Sequence, residues 1–117
     1  MTDQATFRHR ELDGIPVIEV TGELDVGNID DFRGYVRDAA LIQNAPLIIS
    51  FEHVSYFDSH ALEALVEFNR RLHVNRRQLH VVASRESQSG RLLRSANLDL
   101  ALHLHETVEE ALSAAKG

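Results

Sequence analysis

Apolar positions along the chain switch between a period of two and a helical period, and the switches mark out the elements. Phe7 and Leu12 bracket polar residues, Asp13-Gly14 is a strong turn signal, and Ile15, Val17, Ile18 and Val20 are apolar and β-branched. Residues 7–12 and 15–21 therefore read as a β-hairpin. Pro16 has no N–H to give to a ladder, which points to an edge position at the start of the second strand. Residues 22–27, Gly22-Glu23-Leu24-Asp25-Val26-Gly27, read as a loop. Asn28 is placed to cap a helix with Asp30 and Asp31 in its first turn. Ile29, Phe32, Val36, Ala39 and Ala40 then recur at helical spacing, so one face of that helix should meet a sheet.

Pro46 closes the connection to Leu47-Ile48-Ile49-Ser50-Phe51, an almost unbroken apolar run that reads as a central strand covered on both faces. A second helix is predicted from Ala61 to about His73, with Leu62, Leu65, Val66 and Leu72 on one stripe. Gln78–Ala83 reads as a strand. Ser87 is expected to cap a short helix carrying Leu92 and Leu93, and Asn97 can take the left-handed conformation that closes it. Leu100–His105 alternates with period two and reads as a short strand. Thr107-Val108-Glu109-Glu110 is a capping box that opens a last helix, with Val108, Ala111, Leu112 and Ala115 inward. The order ββαβαβαβα predicts an α/β sheet with right-handed crossovers. At 117 residues the chain is expected to be one domain, residues 1–117.

Composition narrows the function classes. A formal net charge of −6 disfavours non-specific nucleic-acid binding, which rests on neutralising phosphates. The dense basic pairs Arg70-Arg71 and Arg76-Arg77 fall at a predicted helix end, where cations complement the dipole. There are no cysteines, so disulfides and thiolate metal sites are excluded, which suits a reducing, cytoplasmic setting. No apolar run approaches the ~20 residues that span a bilayer, and Met1-Thr2-Asp3-Gln4 carries no signal-peptide pattern. Among seven histidines, His103 and His105 are expected on one face of a strand and His53 and His60 flank the central turn, yet no carboxylate or cysteine completes a ligand set. No metal or cofactor is expected.

Candidate chemistry concentrates at Tyr56-Phe57-Asp58-Ser59-His60-Ala61-Leu62, where a strand passes into a helix. The unpaired N–H groups and partial positive charge at a helix start favour an anion such as phosphate. Asp58 can cap the helix, and Ser59 is either a cap or first-turn residue or a phosphorylatable hydroxyl on a rigid mount. Asp25 reads either as an Asx-turn residue or as an acid at an interface. Tyr56 and Phe57 are expected to pack rather than to anchor a partner. Ser59-His60 is not a catalytic dyad, because helix neighbours project about 100° apart. Neither a G-x-S-x-G elbow nor a Walker loop is present. A receiver-type phospho-aspartate site at Asp58 would need paired carboxylates after the first strand and a later lysine, and both are missing. The chain is expected not to be an enzyme.

Two motifs, Gly22-Glu23-Leu24-Asp25 and Phe57-Asp58-Ser59-His60-Ala61-Leu62, resemble those of STAS domains, the sulfate-transporter and anti-sigma-factor-antagonist family. Weaker agreement covers Leu79, Val81 and Val82, Asn97-Leu98, and Thr107 to Leu112. The resemblance implies a mixed sheet of about five strands with four helices packed mainly on one face. It implies a bacterial anti-sigma factor antagonist that binds an anti-sigma factor of the GHKL kinase type. It makes Ser59 the phospho-acceptor, with a phosphatase to reverse the modification, and places Glu23, Asp25, Asp58, Ser59 and His60 at the partner surface. The alternative role is a STAS subunit of a transporter or of a sensor scaffold, not modified at Ser59. Either a monomer or a weak homodimer fits. The commoner family turn has Ser-Gly where this chain has His60-Ala61. Alanine favours the helix over glycine by ~0.8–1 kcal/mol, and His60 adds bulk and a titratable ring.

Overall fold

Two parallel strands organise the computed structural model, which describes residues 4–41 and 44–117, the side chains of 40 and 41 excepted. The side chain of Ala40, assigned to the inner face of the first helix, and all of Met1-Thr2-Asp3 thus lie outside what is described. β1 (Thr6–Leu12) turns through Asp13-Gly14 onto β2 (Ile15–Leu24), pairing Leu12 with Ile15 and Thr6 with Thr21. Both turn residues have positive φ, 53° and 79°, as a type I′ hairpin turn requires. α1 (Ile29–Leu41) leads to β3 (Leu47–Phe57), parallel to β2. α2 (Ser59–Val74), β4 (Leu79–Val82), α3 (Gln88–Ser95), β5 (Leu104–His105) and α4 (Val108–Lys116) follow. The sheet order is β1-β2-β3-β4-β5, and β1 is its one antiparallel member.

The apolar run of β3 is divided between two layers. Leu47, Ile49 and Phe51 join Ile18, Val20 and Leu24 of β2 and Leu79 and Val81 of β4 on one face. Against them lie Phe32 and Val36 of α1, Ala61, Ala64, Leu65, Phe68 and Leu72 of α2, and Leu93 of α3. The Phe32 ring stands 5.8 Å from those of Phe7 and Phe68 and 6.2 Å from Phe51, so one aromatic side chain ties β1, β3, α1 and α2 together. Ile48 points the other way, with Ile15, Val17 and Val82, beneath Val108 and Ala111 of α4. Three helices cover one face and α4 the other. In α2 the buried stripe is Ala61, Ala64, Leu65, Phe68 and Leu72, while Leu62 and Val66 are half-buried.

Several sequence expectations change. Gly22, Glu23 and Leu24 belong to β2 rather than to a loop. Register shifts at Glu19/Thr21 and Gly22/Glu23 break the period-two signal there. Gly22 has φ 87°, and a Cβ on it would stand 2.5 Å from the Gln4 carbonyl oxygen, so the bulge needs glycine. β2 is an interior strand. Ile15 and Pro16 precede the first β2–β3 pair, Val17 with Ile48, so the edge position holds only for these first two residues of the strand. β3 runs six residues beyond Phe51; Phe51, Val54 and Phe57 are buried at a spacing of three, which hides the strand from a period-two reading.

Residues 100–103 form turns and only Leu104–His105 pair with β4. Leu100 is 86% exposed while Leu102 is buried. The His103 N–H donates to the Leu100 carbonyl and the Leu104 N–H to that of Asp99, with His103 at φ 47°. This is the Schellman closure of a helical turn. Leu98 and Asn97 repeat it at the end of α3, and Arg77 and Arg76 at the end of α2. His103 and His105 are therefore not alternate residues of one strand. Their rings instead flank His80 of β4, at centroid distances of 5.0 and 5.2 Å.

Candidate functional site

The parallel pairing of β2 and β3 ends with Leu24 opposite Phe57, and the Asp58 N–H donates to the Leu24 carbonyl at 3.3 Å. Asp25 and Asp58 each follow the last pair, so register alone brings two carboxylate-bearing residues, 33 positions apart in sequence, to the same end of the sheet. Asp58 is extended (φ −107°, ψ −172°) and its Oδ1 accepts from the His60 N–H at 2.9 Å, which makes it the N-cap of α2. Helix α2 begins at Ser59, two residues earlier than its apolar pattern indicates, because the cap rather than the stripe sets the start. Ser59 is exposed, and its hydroxyl has no hydrogen-bond partner among the described residues. The His60 ring turns back toward the cap, with Nδ1 3.4 Å from Asp58 Oδ1.

The loop carrying Asp25 is held from within. Asp25 Oδ1 accepts from the Gly27 N–H at 2.9 Å, the Asx turn anticipated from its residue type. Asn28 stands just before α1, but its side chain bonds back to the loop instead of capping the helix. Its Oδ1 accepts from the Asp25 N–H at 2.9 Å and its Nδ2 donates to the Glu23 carbonyl at 2.8 Å. Glu23 lies on β2 opposite Tyr56, and strand alternation sets it on the other face of the sheet from buried Leu24. The structure thus gathers Asp25, Asp58, Ser59 and His60 at the strand ends and leaves Glu23 beside them on the opposite face.

Two contributions escape a reading of residue types. Beyond Ser50, β3 has lost β4 as a neighbour. Gln88, the first residue of α3, replaces it: Gln88 Oε1 accepts from the Phe57 N–H at 3.0 Å and Nε2 donates to the Phe57 carbonyl at 2.9 Å. One primary amide thereby satisfies both peptide groups of the residue preceding Asp58. The second is an apolar rim. Phe57 is buried, as expected, but Tyr56 is exposed rather than packed, and Val26, next to Asp25, is exposed as well. No group of three or more metal-ligating side chains occurs among the described residues, and no described helix is long and apolar enough to cross a membrane.

The STAS domain family model matches residues 6–111. An anti-sigma factor antagonist from Mycobacterium paratuberculosis is similar at a TM-score of 0.86 and 25% identity, over 98% of this chain and 97% of that one. The anti-sigma factor antagonist SpoIIAA in its unphosphorylated form is similar at 0.76 and 21%, over 96% and 97%. The Bacillus cell fate determinant SpoIIAA in its phosphorylated form gives 0.65 and 23%, over 93% and 98%. A murine anion transporter of the solute carrier 26 family carries the same fold at 0.75 and 14%, over 97% of this chain but only 22% of its own. Matched by the family model across five paired strands and the turn that joins β3 to α2, this chain belongs to the STAS domain family.

Proposed function

We propose that this chain is an anti-sigma factor antagonist, a protein-binding module of the bacterial cytoplasm acting as one STAS domain rather than as an enzyme. Unphosphorylated at Ser59, it sequesters an anti-sigma factor of the GHKL kinase type. Phosphorylation of Ser59 by that partner releases it, and a phosphatase restores binding. The observation that carries the reading is the Ser59 side chain: exposed, without a hydrogen-bond partner among the described residues, and fixed between a strand end and the first turn of α2. The similarity to antagonists of nearly equal length supports the same role.

Phosphate adds about −1.5 to −2 charges and three strong acceptors. At a helix start the added charge meets the positive end of the dipole, so the fold should survive it. The cost falls on the partner surface, where the phosphate would stand with Asp25 and Asp58 and near Glu23. Contacts made by Ser59, His60, Tyr56 and Val26 to a neutral surface would then meet excess negative charge. A penalty of about 2–4 kcal/mol weakens binding by about 30- to 1000-fold.

The test combines the chain with GHKL-type anti-sigma factors encoded beside it and ATP. A mass increase of one phosphate that maps to Ser59 is expected, together with loss of the complex. Ser59→Ala should hold the partner and resist release, and Ser59→Glu should bind far more weakly. Equal affinities for the two variants would refute the switch. The alternative is a subunit of a transporter or sensor scaffold, a reading favoured by the presence of this fold within a much longer anion transporter. Stable assembly with such a complex, unaffected by Ser59→Glu, would select it.

A further inference from the structure

An imidazole stands among the acids of the strand-to-helix turn, and imidazoles change charge near neutral pH. The ionised groups around it are all carboxylates: Glu23 on β2, Asp25 in the loop that follows, Asp58 at the cap, and Glu63 one turn along α2. Among the described residues His60 is the only basic side chain that meets any of them, with Nδ1 3.4 Å from Asp58 Oδ1. The helices on either side supply no substitute. Arg33 of α1 pairs with Asp30 and Glu67, and Arg85 and Arg94 are engaged by Glu106. Arg91 of α3 forms no ion pair with an acid of the turn among the described residues.

The ring is oriented by its own cap. Asp58 Oδ1 accepts from the His60 N–H at 2.9 Å and also faces the ring, so the backbone and the side chain of one residue are drawn to a single oxygen. Nδ1 is shut off from solvent and has no hydrogen-bond partner among the described residues, yet the side chain as a whole is 44% exposed. The exposure therefore belongs to the rest of the ring. A lone pair on Nδ1 would oppose the carboxylate oxygen, whereas a hydrogen there faces it favourably. The neutral ring is thus held with its hydrogen on Nδ1, which leaves Nε2 as the nitrogen that gains or loses a proton.

We propose that His60 makes the switch sensitive to pH: protonated at Nε2, it offsets a negative charge at position 59 and so weakens the release which that charge causes. This rests on the reading of Ser59 as the switch and adds a regulator to it. Opposite unit charges about 6 Å apart attract in water strongly enough to move an equilibrium about threefold, and more strongly where a docked partner excludes water. The coupling is reciprocal, so a charge at position 59 must tighten the His60 proton by the same factor.

One arm of the test needs no partner. The ring nitrogens of His60 are followed by NMR from pH 5 to 8 in the full chain carrying Ser59→Ala or Ser59→Glu. The neutral ring should show its hydrogen on Nδ1, and His60 should hold its added proton about threefold more tightly in Ser59→Glu. A neutral ring protonated on Nε2, or equal proton affinity in the two variants, would overturn the proposal. The second arm measures binding of both variants to a GHKL-type anti-sigma factor at pH 6 and 8. The ratio of the Ser59→Glu to the Ser59→Ala dissociation constant should be at least threefold smaller at pH 6. With His60→Gln added to both chains, the ratio should be the same at the two pH values. A large ratio that ignores pH, or one that still varies with pH after His60→Gln, would overturn the role of His60 and leave Ser59 as a switch. A ratio of one at both pH values would overturn the switch and this inference with it.

Discussion

Lowering the pH from 7.5 to 4 bears on His80 more than on any other imidazole of the chain. The residue is 2% exposed on β4, between the rings of His103 and His105. Its Nε2 lies 3.2 Å from Gln78 Oε1 and its Nδ1 3.1 Å from His105 Nε2. With Nε2–H donating to the amide oxygen, Nδ1 must accept, and His105 must donate. A further proton has only Nδ1 to go to, where it would oppose the His105 N–H. Burial first, and then the charges that His103 and His105 would carry, lower the His80 pKa from 6.5 to about 4. Between those values the unfolded chain takes up a proton that the native protein refuses. Stability is therefore full above pH 6.5, falls as the pH drops below it, and stops falling near 4. The gap corresponds to about 3 kcal/mol, a large share of the 5–15 kcal/mol typical of a domain. His105, also lowered, chiefly by burial, adds in the same direction, and the two rings titrate as a coupled pair. Urea unfolding at several pH values, on the wild type and on His80→Gln, isolates the effect. Glutamine keeps a hydrogen-bonding amide but cannot ionise, and the carboxylates titrate alike in both proteins. The wild type should lose about 3 kcal/mol more than the variant between pH 7.5 and 4. Parallel curves, or a native His80 resonance that titrates near 6.5, would refute the reasoning.

Two substitutions near the strand ends separate architecture from recognition. Asp58→Ala removes the cap that accepts from the His60 N–H and should cost about 1 kcal/mol by thermal unfolding, whereas Asp58→Asn should restore most of it because asparagine caps as well as aspartate. If Asn loses as much as Ala, the charge rather than the cap stabilises α2. Gln88→Ala strands both peptide groups of buried Phe57 and should lower the unfolding free energy by about 2 kcal/mol or more, at about 1–3 kcal/mol per unpaired buried group. A loss under about 0.5 kcal/mol in urea unfolding would mean that water replaces the amide.

What was legible in the chain was local. Helix α1 followed from Ile29, Phe32, Val36 and Ala39, and the caps Asp58, Ser87 and Thr107 each stand where residue type and spacing place them. Period-two reasoning failed where the backbone leaves the ideal pleat: the two register shifts of β2 blurred its end, and buried positions spaced by three disguised the second half of β3. At Leu100–His105 it succeeded falsely, because a helical turn closed by left-handed His103 mimics alternation. The absence of a glycine or asparagine at that closure removed the usual sign of it. The contacts of Gln88 and His80 depend on pairings between segments more than twenty residues apart, and no window of sequence contains both partners.

The same distinction bears on the proposed switch at the turn after β3. Asp58 and Ser59 are neighbours in sequence, but Asp25 joins them only through the parallel register that sets Leu24 against Phe57. That register is held on one side by the β2 ladder and on the other by Gln88, and both peptide groups of Phe57 are engaged. Little backbone freedom remains between the buried sheet and the exposed Ser59 side chain. A charge placed there cannot relax by moving the loop, so on the proposed reading its effect would fall on the partner surface at Asp25, Asp58 and Ser59. Gln88→Ala therefore links the two questions: by loosening the strand end it should narrow the affinity gap between Ser59→Ala and Ser59→Glu even under conditions where the protein remains fully folded. An unchanged gap would show that the first turn of α2 holds the site without help from α3.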